Sequence, residues 1–298
     1  MVDCCSAPGL MPFEQALDTM LAAIKPITDV ENITLTDALG RVLSSDISSP
    51  INVPPHNNSA MDGYAFAHKS LLNDPCLKLV GRSMAGQPFE GKCGTGECIR
   101  IMTGAKIPVD CDTVEMQENC QADAENILFL APRHIGDHVR LMGEDIDQGQ
   151  VVFTKGRRLS AIDTGVLASL GINELNVFRK INVALIATGD ELKALGQPLQ
   201  SGDIFESNSY ALAAMLKNLN VNVINFGVIG DDENAIREAF MQADAQADAV
   251  ISSGGVSVGD ADYTKLVLEQ IGEIAFWKIA MKPGKPFAFG TLPNSIFF

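Results

Sequence analysis

The chain has 298 residues, 46% of them hydrophobic and 20% charged, and a net charge of −15. This is a globular composition, long enough for two or three domains with real cores. A surface this acidic repels nucleic acid and anionic membrane, which argues against both as partners, and a small anionic ligand needs a local positive site or a metal ion to offset the field.

The N-terminus, "MVDCCSAPGL", has no basic region and no long apolar run, and no stretch reaches the ~18 apolar residues of a membrane span. A cytoplasmic protein is expected. The seven cysteines match no zinc or disulfide spacing and read as reduced thiols. "PFEQALDTMLAAI" places Phe13, Leu17, Met20, Leu21 and Ile24 on one helical face, with Pro12 tolerated at the start and Pro26 beyond the end. "ENITLTDALGRVLSSDI" reads as an extended piece, a helical turn closed near Gly40, and a strand.

From 52 to 142, short β-like runs ("LKLVG", "CIRIM", "TVEMQ", "NILFL") alternate with Gly-rich and Pro-rich turns, which predicts a small β domain. The stretch 143–180 turns helical again, with Ser160 as N-cap, Asp163 three residues on and Gly171 at the end. The expected organisation is a helical linker or dimerisation domain of 10–51 and 143–180, an inserted β domain of 52–142, and an α/β domain of 181–298. In the last, "INVALIATG", "VNVINFGVI" and "ADAVISSGG" read as strands. They alternate with helices over "SNSYALAAMLKNLN" (capped by Ser207 or Asn208), "NAIREAFMQA" and a stretch from about Asp262 to Ile271. That alternation predicts a parallel sheet. The chain stops at Phe298 within an apolar strand-like run, which is expected to leave a bare edge.

In open α/β sheets, ligands bind beyond the carboxyl ends of the strands. Distinctive groups follow all three early strands: "TGDEL" with Thr188, Asp190 and Glu191, "GDD" with Asp231 and Asp232, and "SSGGVSVGDADYTK". In the last loop, Gly254, Gly255 and Gly259 let backbone N–H groups turn toward an anion, Ser257 adds a hydroxyl, and a helix starts nearby. Asp260 and Asp262 bring negative charge to a place suited to phosphate, which makes sense if a divalent cation bridges the two. Alone, each loop reads as a cap or a turn; together, at one end of one sheet, they read as a site. "WKIAMKPGKPFAF" adds Lys278, Lys282 and Lys285, either a solvated loop or a set of point charges for an oxyanion. Asp62 in "NSAMDGYA", Thr103 in "RIMTGA", and Glu144 and Asp145 in "GEDI" are equally open as turn groups or site groups. The four histidines form no metal-ligand set, and no nucleophilic triad is legible.

The motifs "NSAMDGYA", "RIMTGA", "GEDI", "TGDEL", "ISSGGVSVGDADYTK" and "KPGKPFAFG" occur in that order. Together they resemble the molybdopterin molybdenumtransferase family, the bacterial relatives of the C-terminal enzymatic domain of gephyrin. The resemblance implies an α/β multidomain fold and Mg²⁺-dependent insertion of molybdenum from molybdate into adenylylated molybdopterin, with release of AMP. It implies a homodimer whose sites lie between subunits, and it brings in the molybdopterin adenylyltransferase as a further partner. Carried over by motif, Asp62, Thr103, Glu191, Lys278 and Lys282 are the expected catalytic residues. Gly254, Gly255, Ser257, Gly259, Lys285 and Asp231 are expected to bind the pterin substrate, and Asp145, Glu191 and Asp262 the metal. The family continues with a Gly-Leu-Pro-Gly-Asn-Pro segment and a C-terminal β domain, so a C-terminally truncated member is expected. Leu141 and Met142 stand where relatives often carry basic residues. Two other readings stay open: an adenylyltransferase-like activity, and a non-catalytic pterin-binding or scaffold remnant.

Overall fold

The computed structural model describes residues 10–131, 133–255 and 263–298. The chain forms two compact units, one of Thr34–Thr36 and Leu43–Leu175, the other of residues through Ile33, Asp37–Val42 and Asn176–Phe298.

Helix α1 spans Phe13–Ala23 and belongs to the second of these units. Its packed side is not its largest apolar stripe. Ala16 is fully buried, and Met20 and Ala23 are partly buried, against Phe276, Ile279 and Phe289. Phe13, Leu17, Leu21 and Ile24 are between 41% and 59% exposed. The small Ala16 lets the helix approach the phenylalanines closely, and the bulkier stripe is left facing out.

The β unit is built on β1 (Asn58–Ser59), β2 (Gly63–Phe66), β3 (Cys76–Ser83), β4 (Glu97–Ile101), β5 (Thr113–Met116), β6 (Cys120–Asp123), β7 (Asn126–Phe129) and β8 (Val139–Arg140). Six of these form one sheet in the order β5-β2-β4-β3-β7-β6. Strand β2 is buried at every residue, so both its faces carry core. Ala65 packs with Ile99, Ile101 and Val114 on one side. Tyr64 and Phe66 pack with Leu77, Ile127 and Phe129 on the other. Phe66 and Phe129 meet edge to face with centroids 4.8 Å apart. Strands β1 and β8 form a separate antiparallel ribbon with Ser59 opposite Val139 and Asn58 opposite Arg140. Helix α2 (Ala161–Ser169) begins in the expected capping box: the Asp163 N–H donates to Ser160 Oγ and the Ser160 N–H to Asp163 Oδ2.

The α/β unit contains β9 (Asn182–Thr188), α3 (Asn208–Asn218), β10 (Asn222–Ile229), α4 (Glu233–Gln246), β11 (Ala249–Ser253), α5 (Tyr263–Ile271), β12 (Glu273–Lys278), β13 (Pro286–Thr291) and β14 (Ile296–Phe297). The sheet order is β10-β9-β11-β14-β13-β12. The first four strands are parallel, and an antiparallel hairpin, β12–β13, closes the other side. Side chains of β9 alternate between layers, as a strand covered on both faces requires. Ala184 and Ile186 join Ile236, Phe240, Val267 and Leu268 from α4 and α5. Val183 and Leu185 join Leu216 from α3. The final strand is not the bare edge that the sequence led us to expect. β14 lies inside the sheet, paired with β11 on one side and β13 on the other, and Phe297 is fully buried.

Candidate functional site

Asp62 follows the ribbon strand β1 and immediately precedes β2. Its Oδ1 accepts two hydrogen bonds from Thr103, one from the backbone N–H and one from the hydroxyl, both 2.7 Å. Those bonds, with Arg100 nearby, hold the exposed carboxyl below the usual carboxylate range. Oδ2 has no hydrogen-bond partner among the described residues. Gly63 is required here by close approach rather than by its φ. A Cβ at that position would lie 1.7 Å from the Glu115 carbonyl oxygen of β5. The Gly63 carbonyl accepts from Arg100 Nη1 at 2.8 Å, and the Arg100 guanidinium lies 5.0 Å from the centre of the Tyr64 ring. Asp62 is thus presented on a rigid strand start with one oxygen fixed and one free. Asp145 sits in the exposed turn after β8, where its N–H bonds the Val53 carbonyl at 2.9 Å. The antiparallel register places this turn beyond the Asn58–Arg140 pair, whereas Asp62 lies past the opposite end of the ribbon.

In the α/β unit, β9, β10 and β11 run parallel, so their carboxyl ends share one edge. Above β9 and β10 two loops are stitched together. The Asp231 N–H donates to Asp190 Oδ1 at 3.0 Å, and the Asp190 N–H to Asp231 Oδ2 at 3.4 Å. The Glu191 carboxylate folds back over Gly189, whose φ is +145° and whose Cβ, if present, would meet Oε2 at 2.6 Å. Asp232 caps α4 through the Ala235 N–H at 2.9 Å, whereas the Asp231 carboxylate is tied to the Asp190 loop.

Above β11, Gly254 and Gly255 have φ of +99° and +63°. A Cβ on Gly254 would lie 2.2 Å from the Thr188 carbonyl oxygen, and one on Gly255 would lie 2.1 Å from Thr264 Oγ1, so neither position admits a side chain. Ser257, Gly259, Asp260 and Asp262 lie outside the described residues.

The lysines come from the β12–β13 hairpin. Lys278 ends β12 opposite Pro286, and the Ile279 N–H bonds the Lys285 carbonyl at 3.1 Å. Because β12 is antiparallel to β13, and β13 to β14, the hairpin that carries Lys282 and Lys285 turns at the same sheet edge as the acidic loops. Lys278 also lines a cleft with Gln15, Lys265 and Trp277. Among the described residues, no three His, Cys, Asp or Glu side chains gather as a metal-binding cluster.

The edge holds a further feature that sequence reasoning missed. A cavity of about 360 Å³ is lined by Asn208, Leu212, Ser253, Phe287 and Phe298. Asn208 does not cap α3, and neither does the Ser207 side chain. The Ser209 N–H is taken instead by Glu206 Oε1 at 2.7 Å. This frees the Asn208 amide to donate to Ser253 Oγ at 2.6 Å, joining α3 to the end of β11. An asparagine at a helix start reads as a cap, and nothing local in the sequence marks it otherwise.

Comparison with known proteins agrees with this architecture. Residues 11–171 match the family model described as the MoeA N-terminal region, domains I and II, and residues 184–296 match a probable molybdopterin binding domain. A molybdopterin molybdenumtransferase of Haemophilus influenzae is 44% identical over 289 residues, covering 97% of this chain and 72% of the relative. One from a Nostoc species is 38% identical over 272 residues, covering 89% of this chain and 62% of the relative. The crystal structure of a molybdopterin biosynthesis MoeA protein from Pyrococcus horikoshii superposes with a TM-score of 0.84 at 34% identity, covering 97% of this chain and 74% of that one. The chain therefore spans between about three fifths and three quarters of these relatives' length. With two domain models and long, collinear relatives in agreement, the chain belongs to the molybdopterin molybdenumtransferase family.

Proposed function

We propose that this chain acts in molybdenum cofactor synthesis by inserting molybdenum from molybdate into adenylylated molybdopterin, with release of AMP. The observation that carries this reading is the single sheet edge on which Asp231 and Glu191, the Gly254–Gly255 turn, and the Lys278–Lys285 hairpin succeed one another. Breaking a phosphoanhydride-like link needs charge neutralisation and positioning more than a nucleophile, and this edge carries both signs of charge. Lys278, Lys282 and Lys285 would hold phosphate and molybdate oxygens as point charges. The cavity lined by Asn208, Ser253 and Phe287 has polar and aromatic groups suited to a flat heterocycle. Carboxylates are the hard oxygen donors that magnesium takes, and Glu191 and Asp262 of one subunit with Asp145 of the other would hold it. The ion would supply charge neutralisation at the phosphate.

The active species is a homodimer in which Asp62, Thr103 and Asp145 of one subunit serve the α/β edge of the other. The exposed α1 stripe of Phe13, Leu17, Leu21 and Ile24 supports association through an apolar face. A cytoplasmic setting and hand-over from a molybdopterin adenylyltransferase belong to the same proposal. Among the described residues, no helix is long and apolar enough to cross a membrane.

The test supplies adenylylated molybdopterin, molybdate and Mg²⁺ and follows AMP by chromatography. Molybdate-dependent AMP release is the expected result. Formation of adenylylated product from ATP and molybdopterin would instead assign the adenylyltransferase reaction. Pterin retention without AMP release would assign a binding protein.

A further inference from the structure

Among the described residues of the α/β unit, two buried hydroxyls have no hydrogen-bond partner: Thr188 Oγ1 and Thr264 Oγ1. Each threonine is 2% exposed. Buried hydroxyls are nearly always paired, because leaving one unpaired forfeits its hydration without return. These two also converge. Thr188 is the last residue of β9, and Thr264 lies in the first turn of α5. Both approach Gly255, where a Cβ would meet Thr264 Oγ1 at 2.1 Å and Thr188 Oγ1 at 3.0 Å; a Cβ on Gly254 would meet Thr188 Oγ1 at 2.9 Å. The two left-handed glycines and the start of a nine-residue helix lie beside these hydroxyls, and a helix start carries a positive dipole end.

We propose that Thr188 and Thr264 are ligand-positioning residues whose hydroxyls donate to an anionic oxygen of the substrate's phosphoryl group seated over Gly254–Gly255. The inference rests on the proposed function for the class of ligand, and on the unpaired hydroxyls for the residues. Hydroxyls kept unpaired in the ligand-free fold lower its stability and gain their partner only on binding. A Cβ at either glycine would crowd these hydroxyls, so glycine at both positions keeps the space beside them clear. Aspartates stand at the neighbouring strand ends, so neutral donors here add affinity for an oxyanion without adding a cation to an already mixed charge field.

Thr→Val keeps the shape and removes the hydroxyl, which makes the test direct. Thr188→Val, Thr264→Val and the matching Thr→Ser variants would be compared with wild type in thermal melts without ligand, in calorimetric titrations with AMP and with inorganic phosphate, and in AMP-release kinetics. The expected result is a Tm equal to or above wild type for each Val variant, with affinity lowered about ten- to hundredfold, the worth of a hydrogen bond to a charged group. The Ser variants should regain most of the affinity. Binding by phosphate as well as AMP would place the contact on the phosphoryl group, whereas AMP binding alone would place it elsewhere on the nucleotide and overturn the assignment. Val variants that bind as tightly as wild type, or that lose Tm with affinity unchanged, would also overturn it. A wild-type chain that neither binds these probes nor releases AMP would remove the proposed function, and this inference with it.

Discussion

Asp163 offers a perturbation whose size follows from the structure. Its carboxylate is buried at the start of α2, takes Arg157 Nη2 at 2.8 Å and Nε at 3.3 Å, and accepts the Ser160 N–H at 2.8 Å. The Arg157 bond, with Ser160 adding to it, lowers the carboxyl from 3.8 to about 2. Holding it there corresponds to roughly 2 kcal/mol of folding stability at neutral pH. Because the folded value is depressed, the contribution is complete above pH ~4 and is lost as pH falls toward 2. Asp163→Asn keeps a capping oxygen and removes the charge. The chain has two compact units, so a single unfolding transition is not assumed, and hydrogen exchange at the α2 amides is the suitable assay. The variant should lose about thirtyfold in protection at pH 7, and the deficit should close between pH 4 and pH 2. Half of the Arg157 side chain faces solvent, so 1 M salt should shrink the deficit. A deficit that is the same at pH 7 and pH 2.5 would refute the electrostatic account and leave only the cap.

Gly63→Ala should cost about 3 kcal/mol or more, at or beyond the usual range for overpacking, since the new methyl meets a strand carbonyl that cannot move aside; hydrogen exchange at the β2 amides reads this within its own unit. Asp62→Asn should abolish AMP release with the melt unchanged. Thr103→Val, which removes one of the bonds that depress the Asp62 carboxyl, should move the acid limb of kcat/KM to higher pH; an unmoved limb would exclude ionised Asp62 from the reaction. Under brief iodoacetamide treatment, exposed Cys76 should alkylate while Cys98, buried and pushed up to about 12 by desolvation, stays intact by mass spectrometry. Leu17→Asp with Leu21→Asp should convert the proposed homodimer to monomer in light scattering with little change in Tm, because both side chains are exposed in the single chain; a wild-type chain that is already monomeric would refute the proposed dimer.

What could be read from sequence was whatever has a local physical cause. The α2 capping box, the buried run of β9 and the four short β runs of the β unit are local patterns of spacing and composition, and each forms where its pattern lies. What escaped depends on contacts between distant residues. Strand β2 is four residues long and carries a glycine, so nothing marks it as central until Glu115 is seen against Gly63. The side of α1 that packs is chosen by the phenylalanines of β12 and β13, more than 250 residues away, and not by the helix's own strongest stripe. Strand β14 lies inside the sheet because the β12–β13 hairpin wraps past it, a topology that strand-helix alternation does not predict. In the candidate site the acids and lysines were visible as residue types. The roles of Asn208 and Thr264 were hidden, because a polar residue at a helix start ordinarily reads as a cap.

The strand order also bears on how a chain with a net charge of −15 would hold the proposed oxyanion. The Glu191 loop follows β9 and the lysine hairpin precedes β13, with β11 and β14 between them. Three strand spacings put the two backbones about 14 Å apart. Lys193 and Lys265 form salt bridges, whereas among the described residues Lys278, Lys282 and Lys285 are not paired with a carboxylate. At salt-bridge distance the two sets would neutralise each other and bind neither a cation nor an oxyanion. Separated in this way, each keeps its charge for a ligand, and the uncharged Gly254–Gly255 turn occupies the interval between them. Raising ionic strength should then weaken oxyanion binding at the hairpin without releasing a stored salt bridge. The logarithm of affinity should fall smoothly with added salt, and a plateau at low salt would show that the lysines are already paired within the protein.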